Sequence, residues 1–448
     1  MKRIPFPVGW GLVVLLHLLA AAWQYRAGGW YLVDSHEYVW AARNLLSEGR
    51  LYSADPAAPF RADHLTKRPP VYPLLLMLTY LPTGSALLVG LLQTVLGLVS
   101  LALSRRILLR WSPSARVQRL WWVLAVVYPA QYLYAQWLMS ELLLQALLLG
   151  LCWLLLESSQ RVRAYAGAAL LLVLAFLTKP VMYLFVLPFA ALGGWWAWRR
   201  RDARYLLPAL LPLLAVLLYG SWNAQRTGWF HISSIQNLSL LQYSTYHFLL
   251  HTQGPEAALR LTDEIWYAAL GSEDFASGQR LIQSRCTAIL LSEPLVYAGF
   301  HAKGMINFFL DPGRFDLYAF FQLQLPGEGG PGLTAAFAEA GYAGVWQYLR
   351  RQPLHLLALL GLLFALNVFK LTGLLRFVLL RRVPPEARLL VVLLIGYLAV
   401  LTGPSGASRF MVPVFPLLVV AAAWGWGNDL GLSGRRFSMP GSNRAHQG

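Results

Sequence analysis

Long apolar runs alternate with short charged connections along almost the whole chain. Runs at 8–23, 84–103, 117–135, 138–157, 164–178, 181–198, 205–220, 354–372, 388–402 and 410–427 approach the roughly 20 residues that cross a bilayer as a helix. The pattern predicts an all-α integral membrane protein of about ten transmembrane helices. A further apolar stretch, 71–82, contains Pro73 and Pro82 and is too short for a span, which predicts an outer-surface or re-entrant helix. Two connections are long, 24–83 and 221–353, and loops of that length usually carry function. Within the second, periodicity predicts helices over 255–266 and 293–309, the latter on the bilayer surface with His301 and Lys303 turned away from it. Its Pro/Gly-rich piece, 325–332, predicts a flexible loop. The chain thus divides into a first span (1–23), an outer catalytic loop (24–83), spans two to seven (84–220), an outer loop with surface helices (221–353), three last spans (354–427) and a cytoplasmic tail (428–448), expected to be disordered from Ser433.

Composition agrees with this pattern. The 448 residues are 57% hydrophobic and 13% charged, against roughly 25% charged in soluble domains, which excludes a soluble enzyme. A net charge of +17 on a soluble protein would suggest nucleic acid. Here the basic clusters, including Arg105/Arg106/Arg110, Arg161/Arg163, Arg199/Arg200/Arg201/Arg204 and Arg376/Arg381/Arg382, occupy every second connection. By the positive-inside rule both termini are cytoplasmic and the charge excess is an orientation signal; the plasma (inner) membrane is the expected location. Membrane lipids, not nucleic acid, are the expected surroundings. Cys152 and Cys286 are too few for a disulfide framework or thiolate zinc site. The sequence holds no Gly-rich phosphate loop, His-Glu-x-x-His or Gly-x-Ser-x-Gly motif, so neither a nucleotide nor a redox cofactor is expected.

Cations on the outer side do nothing for orientation, so each needs another partner. Lys67 and Arg68 precede the stiff Pro69-Pro70 pair. Lys179, Arg226 and Arg409 fall at the same predicted depth, and a converging set of this kind makes a phosphate site. Glu141 lies one turn inside the outer end of a predicted span, where an acidic group is a functional candidate or a paired structural carboxylate. Asp34 and Glu37, three apart at the start of a helical pattern, are candidates for general base or metal ligand, or form a capping box. Asp63 and His64 are further candidates in the same loop, Asp63 for catalysis and both with Asp34 for a metal. His17, Gln93 and Gln145 read as hydrogen bonders between helices.

The order of these pieces resembles the GT-C superfamily of membrane glycosyltransferases, especially bacterial relatives of the family 39 protein mannosyltransferases and of the aminoarabinose transferases acting on lipid A. The matching residues are Asp34-x-x-Glu37-Tyr38, Arg68-Pro-Pro-Val-Tyr-Pro-Leu74, Tyr128-Pro129 with Ser140-Glu141, Thr178-Lys-Pro180, Trp222-Asn223 with Arg226, and Arg409-Phe-Met-Val-Pro413. The resemblance implies a GT-C fold and inverting transfer of a sugar from a polyprenyl-phosphate donor to an acceptor hydroxyl on the outer face, with Asp34 tied to acceptor activation. It also implies a divalent metal in some members, for which Asp63 and His64 are the nearest matches. The acceptor, whether protein, lipid or glycan, does not carry over. Alternatives are a polysaccharide polymerase or ligase using lipid-linked glycans and, in a different class, a lipid or sugar transporter.

Overall fold

The computed structural model describes residues 6–158, 161–323 and 333–428, and these are helices and turns with no strand among them. Among the described residues, seven helices are long and apolar enough to cross a membrane: Val8–Ala27, Ala86–Leu109, Pro180–Arg200, Ala203–Thr227, Leu354–Leu379, Pro385–Ser405 and Ser408–Gly427. The protein is an all-α, multi-pass membrane protein, and the count of ten is not reached by this measure. Val162–Thr178 is apolar but shorter, as is Glu141–Ser158 at 18 residues.

The third predicted span, 117–135, is not one helix. Ala115–Val126 ends, Tyr128 turns extended (φ −125°, ψ 95°), and a short helix Pro129–Leu133 follows. The cause is Pro129, which has no N–H and disfavours helical backbone in the residue before it. Irregular backbone then runs to Glu141, buried among helices, and distant amides satisfy it. Gln93 Nε2 donates to the carbonyls of Ala135 (3.1 Å) and Trp137 (2.7 Å), while Gln93 accepts from the Tyr72 hydroxyl (2.9 Å). Gln145 donates to Gln131 and to Val412 O. Gln93 and Gln145 are therefore the interhelical hydrogen bonders expected, whereas His17 Nδ1 bonds Val13 O of its own helix.

The centre of the molecule is the helix Phe415–Gly427, apolar throughout and almost wholly buried. It packs on Leu354–Leu379, Ala115–Val126 and Ala86–Leu109. Contact with the first of these is backbone-close: a Cβ on Gly425 would lie 1.9 Å from Gly373 O, the small-residue packing by which membrane helices associate without a hydrophobic driving force between them. At the periphery, Leu207, Leu210 and Leu214 of Leu206–Thr227 are exposed, a surface that only lipid would cover.

On the face that carries Lys179, the first long connection forms the helices Ser35–Glu48 and Val71–Thr83. The second forms a hairpin, Pro255–Leu270 and Phe275–Ser292, with a small core of Leu241, Ile265, Ile282 and Cys286. Pro294–Leu310 follows, and here the expectation for His301 is corrected. Its Nε2 bonds Val400 O (2.8 Å), and the next turn of the helix is pressed on the 403–406 turn, where a Cβ on Gly304 would meet Gly403 O at 2.1 Å. The Pro/Gly-rich loop 325–332 and the tail lie outside the described residues.

Candidate active site

Charged residues from four distant parts of the chain meet at one end of the helices. The first part is the turn into Ser35–Glu48. Asp34 occupies the N-cap position but makes no side-chain capping bond. Ser35 Oγ instead accepts Leu32 N–H (2.9 Å), a bond that fixes the turn leading into the helix and does not cap its first turn. The Asp34 carboxylate is left for Arg68 Nη2 (2.8 Å) and Arg409 Nη2 (2.5 Å). One turn on, Glu37 takes both cations of the Lys67–Arg68 pair, Nζ of Lys67 at 2.6 Å and Nε of Arg68 at 2.6 Å. The Arg68 guanidinium also covers the ring of buried Tyr38 (4.8 Å), whose hydroxyl meets Ser140 Oγ (3.0 Å).

Arg409 is the hub. While Nη2 holds Asp34, Nε donates to Glu141 Oε1 at 2.5 Å, and Lys179 Nζ donates to the same oxygen at 2.7 Å. Lys179 is extended between Val162–Thr178 and the turn Pro180–Phe185, as a residue before proline prefers. Glu141 is fully buried, and its Oε2 has no hydrogen-bond partner among the described residues. Asp34 and Arg409 each keep 19% of the side chain exposed, so a ligand can reach them. The cluster holds four cations (Lys67, Arg68, Lys179, Arg409) on three carboxylates (Asp34, Glu37, Glu141), one positive charge in excess. Burial would raise the Asp34 carboxyl, but Arg409 and Arg68 outweigh it and hold the group well below the usual carboxylate range.

A surrounding set of hydrogen bonds fixes these side chains. Asp311 Oδ2 accepts Ser408 N–H (2.7 Å), and Asp316 accepts the Ser408 hydroxyl and the Tyr134 hydroxyl (2.7 Å). The residue before Arg409 is thus anchored by two carboxylates of the second long connection. Burial pushes the Asp316 carboxyl up to about 6, although Ser408 and Tyr134 oppose the rise. On the opposite side the 231–234 strap grips the Lys67–Arg68 loop: Ser234 Oγ donates to Asp63 O (2.7 Å), Ser233 Oγ to Lys67 O (2.9 Å), and His231 Nε2 meets Thr66 Oγ1 (2.7 Å). His231 Nδ1 lies 2.7 Å from Trp229 O and so carries the proton, leaving Nε2 to accept from Thr66. Burial lowers the His231 pKa, consistent with this neutral ring. Asp311, Asp316, Ser408, Tyr134 and His231 went unmarked in the sequence. Asp316 sits among ordinary loop residues, and its only local signal is a carboxylate flanked by aromatics.

Three sequence candidates do not join the cluster. Asp63 is paired with Arg61, two residues away, through two 3.0 Å hydrogen bonds, so its assignment to the catalytic group is corrected. His64 Nδ1 meets Ser53 Oγ (3.1 Å). Arg226 stacks on Trp222, 3.4 Å from the ring centroid, and donates to Asn223 (2.6 Å) rather than to a carboxylate. Asp34, Asp63 and His64 consequently do not fit a shared metal, and no group of three or more His, Cys, Asp or Glu among the described residues is placed to hold one. The carboxylates that do converge are instead occupied by Lys and Arg.

No family model matches the chain, and no curated protein matches it. Among solved structures the chain is similar to ArnT from Cupriavidus metallidurans bound to undecaprenyl phosphate, with 16% identity over 92% of this chain and 77% of that one and a TM-score of 0.38. It is similar also to ArnT from the same organism in the apo state, with 15% identity over 94% of this chain and 78% of that one and a TM-score of 0.37.

Proposed function

We propose that the protein is a GT-C-type inverting glycosyltransferase that moves a sugar from a polyprenyl-phosphate donor to an acceptor hydroxyl at the outer face of the membrane. The observation that carries this reading is the Asp34–Arg409–Glu141 bridge: a partly exposed carboxylate held by guanidinium groups of Arg68 and Arg409, with Lys179 beside them and one positive charge in excess. Charge-assisted contacts of this type suit a phosphate. As the glycosidic bond breaks, its electron pair passes to the phosphate oxygen and the leaving polyprenyl phosphate gains a negative charge. Preorganised cations favour that state over the intact donor.

The acceptor hydroxyl attacks the anomeric carbon and gives its proton to a base, for which Asp34 is the choice. In the ion-paired arrangement Asp34 is ionised but weakly basic, because Arg409 and Arg68 stabilise its anion. A donor phosphate that draws these guanidinium groups to itself leaves the carboxylate less stabilised and therefore more basic. Donor binding and base activation are then coupled through the same two arginines. Glu141, fully buried, holds Arg409 and Lys179 in place behind the partly exposed Asp34.

Purified protein in proteoliposomes, supplied with a polyprenyl-monophosphate sugar and candidate acceptors, tests the reading. Glycosidic product with release of polyprenyl phosphate is expected. Consumption of a diphosphate-linked glycan instead identifies a polymerase or ligase, and flux across sealed vesicles without bond formation identifies a transporter.

A further inference from the structure

The membrane face opposite Asp34 carries a second concentration of cations, and it is shaped. Val162–Thr178 is 17 residues long, about 25 Å at the α-helical rise, so Arg161 and Arg163 lie a bilayer's depth from Lys179. There they meet Arg200, at the end of Val186–Arg200, and Arg204, in the turn Ala203–Tyr205. Together with Asp202 and Tyr205 they line a cavity of about 460 Å³. Asp202 pairs with Arg204 through two 2.9 Å hydrogen bonds. Arg161, Arg163 and Arg200 have no carboxylate partner among the described residues. Orientation by the positive-inside rule needs basic residues near helix ends, not four arginines around one cavity.

The cavity has a built floor and an apolar flank. Tyr165, Trp196 and Tyr205 pack ring on ring beneath it (5.3 to 5.9 Å between centroids), and Tyr165 donates to Phe189 O (2.6 Å). The helix that starts at Leu206 follows the lining residue Tyr205, and along it the exposed side chains of Leu207, Leu210 and Leu214 recur at helical spacing, while Trp198, two residues before Arg200, is 77% exposed. A cationic basin beside an exposed leucine stripe matches an amphiphile, with phosphate in the basin and acyl chain along the stripe.

We propose that this basin binds the phosphate headgroup of an anionic phospholipid. A free phosphate or nucleotide would share the chemistry of the basin but leave the leucine stripe without a role. The site is independent of the glycosyltransferase reading, since it stands at the other end of the helices and its readout is binding.

The test uses full-length protein in mixed micelles containing equal phosphatidylglycerol and phosphatidylcholine, with retained lipid counted by native mass spectrometry. Wild-type protein should retain phosphatidylglycerol selectively, and each of R163Q and R200Q should lower that preference about fivefold, the contribution of one cation at an anionic surface. R106Q/R116Q, which removes two exposed cations elsewhere on that face, should leave the preference unchanged. An equal loss in R106Q/R116Q, or the lack of any preference in the wild type, overturns the proposal. Displacement of the lipid by millimolar inorganic phosphate also overturns it, in favour of a soluble anion site.

Discussion

Replacing Arg409 with alanine separates its roles. The substitution removes the hydrogen bonds to Asp34 and Glu141, both 2.5 Å long. Each carboxylate keeps another cation, since Arg68 stays 2.8 Å from Asp34 and Lys179 2.7 Å from Glu141. Neither buried charge is left bare, so the loss of stability should stay below the roughly 3–5 kcal/mol of an abandoned buried ion. For the donor the loss is direct: a hydrogen bond to a charged group contributes about 1.5–3 kcal/mol, equivalent to roughly 10- to 150-fold in kcat/KM. R409A should therefore lower kcat/KM for the lipid-linked donor about 100-fold, chiefly through kcat, because the cation favours the departing phosphate over the intact donor. Its melting temperature in detergent should still show a cooperative transition. Arg409→Lys keeps the charge but cannot bridge Asp34 and Glu141 from a single nitrogen in the same way, and should fall between the two. Without Arg409 the Asp34 carboxyl should also titrate higher, moving the acid limb of the pH–rate profile upward. Donor kinetics within threefold of wild type in a folded R409A protein would refute the assignment of Arg409 to the phosphate.

Asp34→Asn should reduce transfer by about 10²-fold or more, as loss of a general base does, while donor binding measured at equilibrium persists; full activity removes Asp34 as base. Asp316 gives a pH effect of opposite sign to that of an ion-paired carboxylate. Its folded pKa of about 6 exceeds the unfolded value near 4, so the folded state binds more protons and stability falls as pH rises from about 4 to 6, by about 3 kcal/mol in total. Thermal unfolding across this range should show the slope in wild type, and D316N should flatten it. Gly425→Ala places a methyl where 1.9 Å separates the site from Gly373 O, and should cost about 1–3 kcal/mol through overpacking; an unchanged denaturation midpoint in detergent would show that the two helices separate freely.

The parts legible in the sequence were those set by one-dimensional physics. Apolar runs gave the membrane helices, and the rule that an outer-side cation, having no role in orientation, needs a partner picked out Lys67, Arg68, Lys179 and Arg409, together with Arg226, which stacks on Trp222 instead. Asp34 and Glu37 were legible as a pair on one helical face, but choosing between a capping box and a site needed the knowledge that Asp34 makes no side-chain capping bond and is held by Arg68 and Arg409. What failed had a three-dimensional cause. Asp63 pairs with Arg61 two residues away, in a turn whose geometry spacing does not disclose. The predicted span 117–135 breaks at Tyr128 and Pro129, and its irregular continuation survives burial because Gln93 reaches it from elsewhere in the chain. Asp311 and Asp316 reach Arg409 through Ser408, nearly a hundred residues on.

The hub residue also orders the protein's biosynthesis. Arg409 joins partners 375 and 268 residues before it, so the first loop and the helix of Glu141 are made long before the cation that bridges them. Until Ser408–Gly427 enters, Glu141 has Lys179 alone and the cluster carries equal numbers of opposite charges. The positive excess that suits a phosphate arises only when this last described helix docks in the centre of the bundle. A chain stalled before that point would hold most of its membrane helices and lack a working site, which makes insertion of the central helix a checkpoint that separates an embedded polypeptide from an active one.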